Sequence, residues 1–138
     1  MDTETKRTSA EMVAAAKQQV ENLGPEQVAA ELRDGDPLLV DVREPEERAA
    51  SGVIPGAVHA PRGMLEFYAD PASPYHRPEL SPERRVILHC AAGGRSALAA
   101  VTLAQLGYTN VAHLDGGIRA WAEHGLPVEG LPGEDRGA

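Results

Sequence analysis

The stretch 86–106 constrains this chain most, because it combines the pattern of a buried strand, a short loop and a helix in direct succession. The apolar run Val86–Leu88 is typical of a strand that is buried on both faces of a parallel sheet. Downstream, apolar residues recur at spacings of three and four among alanines, and Gly107 stands where a helix commonly ends. The pattern predicts an α/β fold with Cys90 at the junction of strand and helix.

The loop at this junction combines small residues, two glycines and an arginine. Such a loop can curl so that its backbone N–H groups point at one spot, next to the N-terminus of a helix that we expect to begin near Ser96. A cysteine placed there, beside an arginine, favours the thiolate, which is the nucleophilic form. A lone cysteine is more often a small buried hydrophobic residue, but the order of these features favours a nucleophile. The predicted site consists of Cys90, Ala91, Ala92, Gly93, Gly94, Arg95 and Ser96.

This loop resembles the active-site loop of the rhodanese superfamily, in particular its single-domain sulfurtransferases. Three further segments match motifs of that family in the same order, and the resemblance covers about residues 25–129. At one position the sequence departs from the family pattern, since Val53 stands where histidine is common. The matching segments are Leu39–Glu44, Gly52–Ala57 and the C-terminal run that includes Leu114–Ile118, Trp121 and Gly125–Val128.

The resemblance implies a single α/β domain with a central, mainly parallel sheet and helices on both faces. It also implies a double displacement in which Cys90 takes the outer sulfur of a donor such as thiosulfate and becomes a persulfide. The loop N–H groups then hold that sulfur until cyanide or a thiol removes it. Arg95 orients the anion or braces the loop. The resemblance implies neither a metal nor an organic cofactor.

Two other readings of the loop stay open. A cysteine and an arginine that flank a cradle also characterise cysteine phosphatases and arsenate reductases. The span from Cys90 to Arg95 is six residues, the length that the resemblance associates with sulfurtransferases, whereas the related phosphatase loops are one residue longer. A phosphatase also needs a general acid, for which Glu66, Asp70 and His76 are the candidates. The second alternative is a non-enzymatic sulfur carrier or interaction module.

Composition narrows the class of protein. A chain of 138 residues is expected to form one domain, and its formal charge of −8 with no basic stripe argues against a nucleic-acid partner. No apolar run reaches the length of a membrane span and the N-terminus lacks a signal region, so we expect a cytoplasmic protein. A single cysteine cannot form an internal disulfide, and any sulfur on it must leave to an outside acceptor. The expected partners are a small sulfur-containing anion and a protein or low-molecular-weight thiol.

The chain is divided by these patterns into an N-terminal extension (1–24), the rhodanese-like domain (25–129) and a flexible tail (130–138). Thr8 and Glu11 predict a capping box for a helix that runs to Leu23, with Gly24 ending it. The favoured role of this extra helix is to pack over the domain as an extension, and a homodimer or partner surface is the alternative use of its apolar face. A second helix is predicted from Pro25 to about Arg33.

Charged residues near the second motif are expected to be mainly structural. A strand is predicted over residues 38–42, and Asp41 and Arg43 at its end are secondary site candidates, with an internal charge pair favoured over substrate contact. The acidic cluster Glu44, Glu46 and Glu47 predicts the solvated first turn of a helix with Pro45 at its first position.

Two segments carry weaker signals. His59 and His89 are expected in strands, as structural histidines rather than metal ligands, because no zinc-type spacing surrounds them. The proline-rich segment 62–80 predicts an ordered loop with a helix over residues 64–68. Its aromatic and basic side chains are either pocket lining or surface, and they are Phe67, Tyr68, Tyr75, Arg62 and Arg77.

Overall fold

A five-stranded sheet forms the centre of the protein, in a computed structural model that describes residues 6–131. The strands are β1 (Glu21–Leu23), β2 (Leu38–Asp41), β3 (Val58–His59), β4 (Val86–His89) and β5 (Val111–Leu114). The helices are α1 (Ser9–Lys17), α2 (Pro25–Asp34), α3 (Pro45–Ser51), α4 (Leu65–Ala69), α5 (Gly94–Gln105) and α6 (Gly117–Glu123). The strand order is β1-β5-β4-β2-β3, and every neighbouring pair is parallel. This architecture confirms the predicted fold class.

Two apolar cores lie on the two faces of the sheet, because alternate residues of a strand point to opposite sides. Val40 and Leu88 pack on one face with residues of α4 and α5. Leu39 and Ile87 pack on the other face with residues of α2 and α6. Since both faces are covered, β2 and β4 are buried throughout, which explains their continuous apolar runs.

The N-terminal segment differs from its prediction. The capping box is confirmed, since Thr8 Oγ1 accepts the Glu11 N–H at 3.0 Å. The helix ends at Lys17, however, and β1 follows it and pairs with β5 at the edge of the sheet. Asn22 contributes to this ending, because its Nδ2 donates to the carbonyls of Lys17 and Val20. The helix predicted through Leu23 is therefore wrong, and the extension supplies both a helix and an edge strand.

Other local predictions agree with the structure. The helix predicted from Pro25 is α2, and α3 has Pro45 in its first turn. Helix α5 begins at Gly94, slightly before the predicted start, and Gly107 follows it with a φ of +94°. Residues 62–80 contain a 3-10 turn (Arg62–Met64) and α4.

The segment 62–80 is anchored by side chains. Tyr108 Oη donates to the Ala69 carbonyl at 2.8 Å, and the guanidinium of Arg77 stacks 3.9 Å from the centre of the Tyr68 ring.

No helix in the described part of the chain has the length and apolar character needed to span a bilayer. Most of the predicted tail, residues 132–138, lies outside the described residues.

The carboxyl ends of β2, β4 and β5 meet at one edge of the sheet, where open α/β sheets bind their ligands. Asp41 ends β2, Cys90 follows β4 directly, and Asp115 follows β5. Parallel pairing in register therefore places the predicted site at this edge.

We expect Leu23→Ala to lower the free energy of unfolding by about 2–5 kcal/mol, as for other buried leucines. The matched control Met12→Ala should change it by less than about 0.5 kcal/mol. Leu23 is 6% exposed in β1, whereas Met12 is 48% exposed on α1. Urea unfolding of both variants measures the difference. Equal losses would instead support one continuous helix with both residues on its apolar face.

Candidate functional site

The loop after β4 wraps around the sulfur of Cys90. Sγ accepts the backbone N–H of Gly93 at 3.1 Å and that of Ser96 at 3.4 Å. Gly93 has a φ of +108°, a conformation open to glycine because it lacks a Cβ, and α5 begins at the next residue. The side chain of Cys90 is 1% exposed. The predicted loop residues thus come together as a cradle, defined here as residues 90–96, at the N-terminus of α5.

The first two carbonyl groups of the cradle, those of Cys90 and Ala91, face the other way, toward α6. Ile118 N–H donates to the Cys90 carbonyl at 2.9 Å, and Arg119 N–H donates to the Ala91 carbonyl at 3.1 Å. Gly117 permits this approach, because a Cβ there would collide with the backbone of Ala91 and lie 2.6 Å from the Cys90 carbonyl oxygen. The first turn of α6 therefore holds the carbonyls away from the sulfur, which leaves N–H groups to face it.

Arg95 is held by an acidic residue of α3. Its guanidinium forms a bidentate ion pair with Glu47, with N–O distances of 2.7 and 2.9 Å. The hydrogen bonds from Arg95 lower the pKa of Glu47 to about 2 despite partial burial. Glu47 also accepts the Glu44 N–H. Glu47 lies in the first turn of α3, as predicted, but its side chain is only partly solvated, because this carboxylate also connects α3 to the cradle.

Asp41 and Arg43 form a buried ion pair at the end of β2, as the favoured interpretation of these residues predicted. Arg43 Nη2 lies 2.8 Å from Asp41 Oδ2 and also donates to the Gly52 carbonyl. Arg48 of α3 donates to the same carboxylate at 3.2 Å. Burial raises the pKa of Asp41, but hydrogen bonds from Arg43 and the nearby charges outweigh it and lower the pKa overall. The pair joins β2 to α3 and to the segment that follows it.

The two predicted strand histidines occupy different environments. His59 Nε2 lies 2.7 Å from the Arg43 carbonyl and donates to it. His89 is fully buried behind Cys90, and its Nδ1 lies 3.3 Å from the Cys90 carbonyl. Its Nε2 has no hydrogen-bond partner among the described residues and lies 3.8 Å from Asp41 Oδ2. Burial lowers the pKa of His89. The described residues contain no group of three or more His, Cys, Asp or Glu side chains arranged to hold a metal ion.

A third histidine, which the sequence analysis did not single out, reaches the cradle. His113 of β5 lies with Nδ1 2.9 Å from Ser96 Oγ and Nε2 2.7 Å from Asn22 Oδ1. Ser96 Oγ is in turn 3.5 Å from Cys90 Sγ. Burial lowers the pKa of His113 to about 4, so this ring is neutral at pH 7.

A cavity of about 350 Å³ lies beside the cradle. Its walls come from α3, the cradle and α6, and include Glu47, Ala91, Ile118 and Arg119. None of the segment 62–80 lines it. Arg62 instead binds Glu66 and Thr102. Of the two alternatives for this segment, pocket lining is not met for this cavity, and the exposure of Phe67 and Tyr75 agrees with a surface position.

The comparison with protein families decides the identity of this fold. The family model described as the rhodanese-like domain matches residues 24–124. The chain belongs to the rhodanese-like domain family. This confirms the resemblance drawn from the cradle and its three companion motifs.

Individual relatives of this rhodanese-like chain cover most of its length. A protein named sulfurtransferase from Allochromatium vinosum is 42% identical over 93 residues, which is 67% of this chain and 78% of that protein. The structure of a protein from Rhodopseudomonas palustris, described as of unknown function and a possible tyrosine phosphatase, has a TM-score of 0.86 and 38% identity over 94% of this chain and 99% of that one. The polysulfide-sulfur transferase homodimer from Wolinella succinogenes has a TM-score of 0.72 and 29% identity, with both chains covered in full.

The residues that sequence analysis missed are partners of the cradle rather than members of it. Glu47 lies 48 residues before Arg95, and His113 lies 17 residues after Ser96. Glu47 is one of three clustered glutamates and His113 is a single histidine in an apolar strand, so no local spacing marks either as a partner of the cradle. The one available signal was parallel topology, which brings the ends of β4 and β5 to the same edge.

We expect Gly117→Ala to destabilise the rhodanese-like domain more than Gly125→Ala. Both glycines have positive φ, at +65° and +76°, so both variants incur a backbone cost of about 1–2 kcal/mol. Only at Gly117 does the new methyl group also meet the backbone of Ala91, whereas nothing lies within 4 Å of it at Gly125. Thermal unfolding and the rate of Cys90 alkylation measure both effects. Equal changes in thermal stability and alkylation rate for the two variants would show that the close contact between α6 and the cradle does not affect the cradle.

The ion pair of Glu47 predicts a pH-dependent contribution to stability. Its pKa in the folded state, about 2, is below the ordinary 4.5, so this contribution is fully present above pH 4.5 and is lost as the pH falls toward 2. Urea unfolding of Glu47→Gln should therefore differ most from the wild type at neutral pH and converge with it in acid. Because the pair is partly exposed, the difference should also shrink at high salt.

The matched control is Glu46→Gln on the exposed side of the same helix. It removes a carboxylate from α3 without touching Arg95. A pH dependence equal to that of Glu47→Gln would assign the effect to helix charge rather than to the ion pair.

Proposed function

We propose that this chain is a sulfurtransferase of the rhodanese class that transfers sulfane sulfur through a persulfide on Cys90. The observation that carries the proposal is the position of Sγ, which accepts two backbone N–H groups at the N-terminus of α5. Those donors stabilise a sulfur anion without a neighbouring general base. The relatives named for sulfur transfer support the same class.

The proposed reaction has two displacements. The Cys90 thiolate attacks the outer sulfur of thiosulfate, a new S–S bond forms, and the S–S bond of thiosulfate breaks with its electron pair leaving on sulfite. The persulfide on Cys90 then carries one negative charge on its outer sulfur, which the remaining N–H groups of the cradle receive. Cyanide or a thiolate attacks that sulfur, and the Cys90 thiolate leaves as the free form of the enzyme. Each step conserves charge and needs no oxidant.

Arg95 and the β2 ion pair have supporting roles in this proposal. Arg95 is held by Glu47, whose side chain lines the cavity, so Arg95 braces the cradle and keeps its positive charge close to the sulfur. Asp41 and Arg43 fix the end of β2 beneath α3. The cavity beside Ala91 is the proposed entry for the donor, where Arg119 supplies a second cation.

Phosphatase activity is the second candidate, because the R. palustris structure is described as a possible tyrosine phosphatase. Two observations count against it here. The cradle spans six residues from Cys90 to Arg95, and a short ring of N–H groups suits a single sulfur better than a phosphoryl group. The candidate general acids are also engaged elsewhere: Glu66 pairs with Arg62, Asp70 accepts the Ala72 N–H, and His76 binds the Leu80 carbonyl.

The remaining assignments follow from this function. The proposed donor is a small sulfur-containing anion, and the acceptor is a low-molecular-weight or protein thiol, in the cytoplasm. A homodimer through α1 is proposed by analogy with the W. succinogenes homodimer and from the exposed Met12 on that helix.

The test is the intact mass of the protein after incubation with thiosulfate. We expect the wild type to gain the mass of one sulfur and to lose it on addition of cyanide, with thiocyanate released. Cys90→Ser should retain the circular dichroism of the wild type and show no gain, because a hydroxyl without an adjacent base is too weak a nucleophile. The same samples are assayed with p-nitrophenyl phosphate.

Two results would contradict the proposal. One is thiosulfate:cyanide turnover by folded Cys90→Ser. The other is substantial phosphatase turnover by the wild type with no sulfur adduct. A variant with one glycine inserted between Gly93 and Gly94 tests the role of cradle length, and a loss of sulfur transfer without unfolding would support it.

A further inference from the structure

Four side chains form a continuous hydrogen-bonded series from the nucleophile to the protein surface. The distances are 3.5 Å from Cys90 Sγ to Ser96 Oγ, 2.9 Å from Ser96 Oγ to His113 Nδ1, and 2.7 Å from His113 Nε2 to Asn22 Oδ1. The first three residues are buried, whereas Asn22 is exposed on β1. This series joins the edge strand to the cradle.

The donor and the acceptor of every hydrogen bond in the series can be assigned by starting from Asn22 at its exposed end. The Nδ2 group of Asn22 donates to two carbonyls, those of Lys17 at 2.8 Å and Val20 at 3.0 Å. A flipped amide would place an oxygen against both carbonyls, so Oδ1 must face His113. Oδ1 is only an acceptor, and His113 Nε2 therefore carries the hydrogen.

The same logic extends inward to the sulfur. A neutral imidazole with hydrogen on Nε2 has an acceptor at Nδ1, so the Ser96 hydroxyl donates to it. Its other possible acceptor, the Gly93 carbonyl, is more distant at 3.5 Å. Ser96 Oγ then presents only lone pairs to Cys90. It accepts the S–H of a thiol but has no hydrogen to donate to a thiolate.

We propose that His113, fixed by Asn22, is a positioning residue that directs the Ser96 hydroxyl away from Cys90 and so favours the thiol over the thiolate. This inference rests on the proposed role of Cys90 as the nucleophile. Within the cradle, the N–H groups of Gly93 and Ser96 favour the anion while the Ser96 hydroxyl opposes it. His113 therefore moderates how readily the nucleophile forms.

Other charged groups surround the series and stay unchanged in the comparison below. Asp115 and Lys17 pair with each other and face His113 from the end of β5 and from α1. Arg95 and Glu47 face Cys90 from α5 and α3. His89 and Asp41 lie behind it on β4 and β2. Among the described residues, none of these groups forms a hydrogen bond with Ser96 Oγ, so a change that depends on Ser96 is specific to the series.

The test is the pH dependence of iodoacetamide alkylation, which reports on Cys90 alone because the chain has one cysteine. In His113→Leu the Ser96 hydroxyl is free to donate to the thiolate. We expect the midpoint of alkylation to fall by about one pH unit, the size of one hydrogen bond to a charged group. In a Ser96→Ala background, the same His113→Leu change should shift the midpoint by less than about 0.2 units, because the connecting hydroxyl is gone.

Three results would overturn the proposal. An unchanged midpoint in His113→Leu would show that the ring does not govern Ser96. A higher midpoint would make His113 a base that accepts the Cys90 proton through Ser96. A shift that persists in the Ser96→Ala background would reflect a general disturbance of the cradle.

A second variant keeps the test valid if His113→Leu does not fold. Asn22→Ala changes an exposed side chain and allows the hydrogen of the His113 ring to move to Nδ1, after which Ser96 can turn its own hydrogen toward the sulfur. We expect a smaller downward shift, and no shift or an upward one would overturn the proposal. The alkylation readout does not require sulfur transfer, so a wild type that forms no persulfide would refute the proposed function and leave this result interpretable.

Discussion

The approach of α6 to the loop after β4 is the contact on which the site depends. Peptide units have two polar ends, and a loop can surround a sulfur with N–H groups only if its carbonyls are bound elsewhere. Here the first turn of α6 binds the carbonyls of Cys90 and Ala91, and the absence of a Cβ at Gly117 makes the approach sterically feasible. Gly117 is thus as necessary to the geometry of the cradle as the glycines inside it.

Ion pairs then fix this arrangement to the rest of the sheet edge. Asp41 and Arg43 are buried at the end of β2, and Glu47 of α3 binds Arg95 of α5. Charges that are removed from water are costly unless they are paired, so the buried Asp41 and Arg43 hold each other in one geometry, whereas the pair of Glu47 and Arg95 is partly exposed. In the proposed sulfur transfer, the sulfur anion meets oriented backbone N–H dipoles at this edge of the sheet, with the guanidinium of Arg95 nearby.

The N-terminal segment links this edge to solvent. Strand β1 pairs with β5, and through Asn22 and His113 it reaches the Ser96 hydroxyl in the cradle. A segment that the sequence separates from the family motifs therefore contacts the sulfur of Cys90 indirectly. The division of the chain at residue 24 remains a prediction, but in the folded protein the extension and the domain share one sheet.

The sequence by itself determined most of the order of the elements and predicted Cys90 as the nucleophile within the loop 90–96, because these depend on short-range patterns such as the run before Cys90 and the glycines after it. The prediction from local spacing was wrong where a long-range contact determines the structure. Residues 21–23 fit the spacing of a helix, yet they form a strand because they pair with the edge of β5. Only the tertiary structure decided which partners Arg95 and Ser96 take. Glu47 and His113 lie far from them along the chain, and parallel pairing of the strands is what brings their side chains within hydrogen-bonding distance.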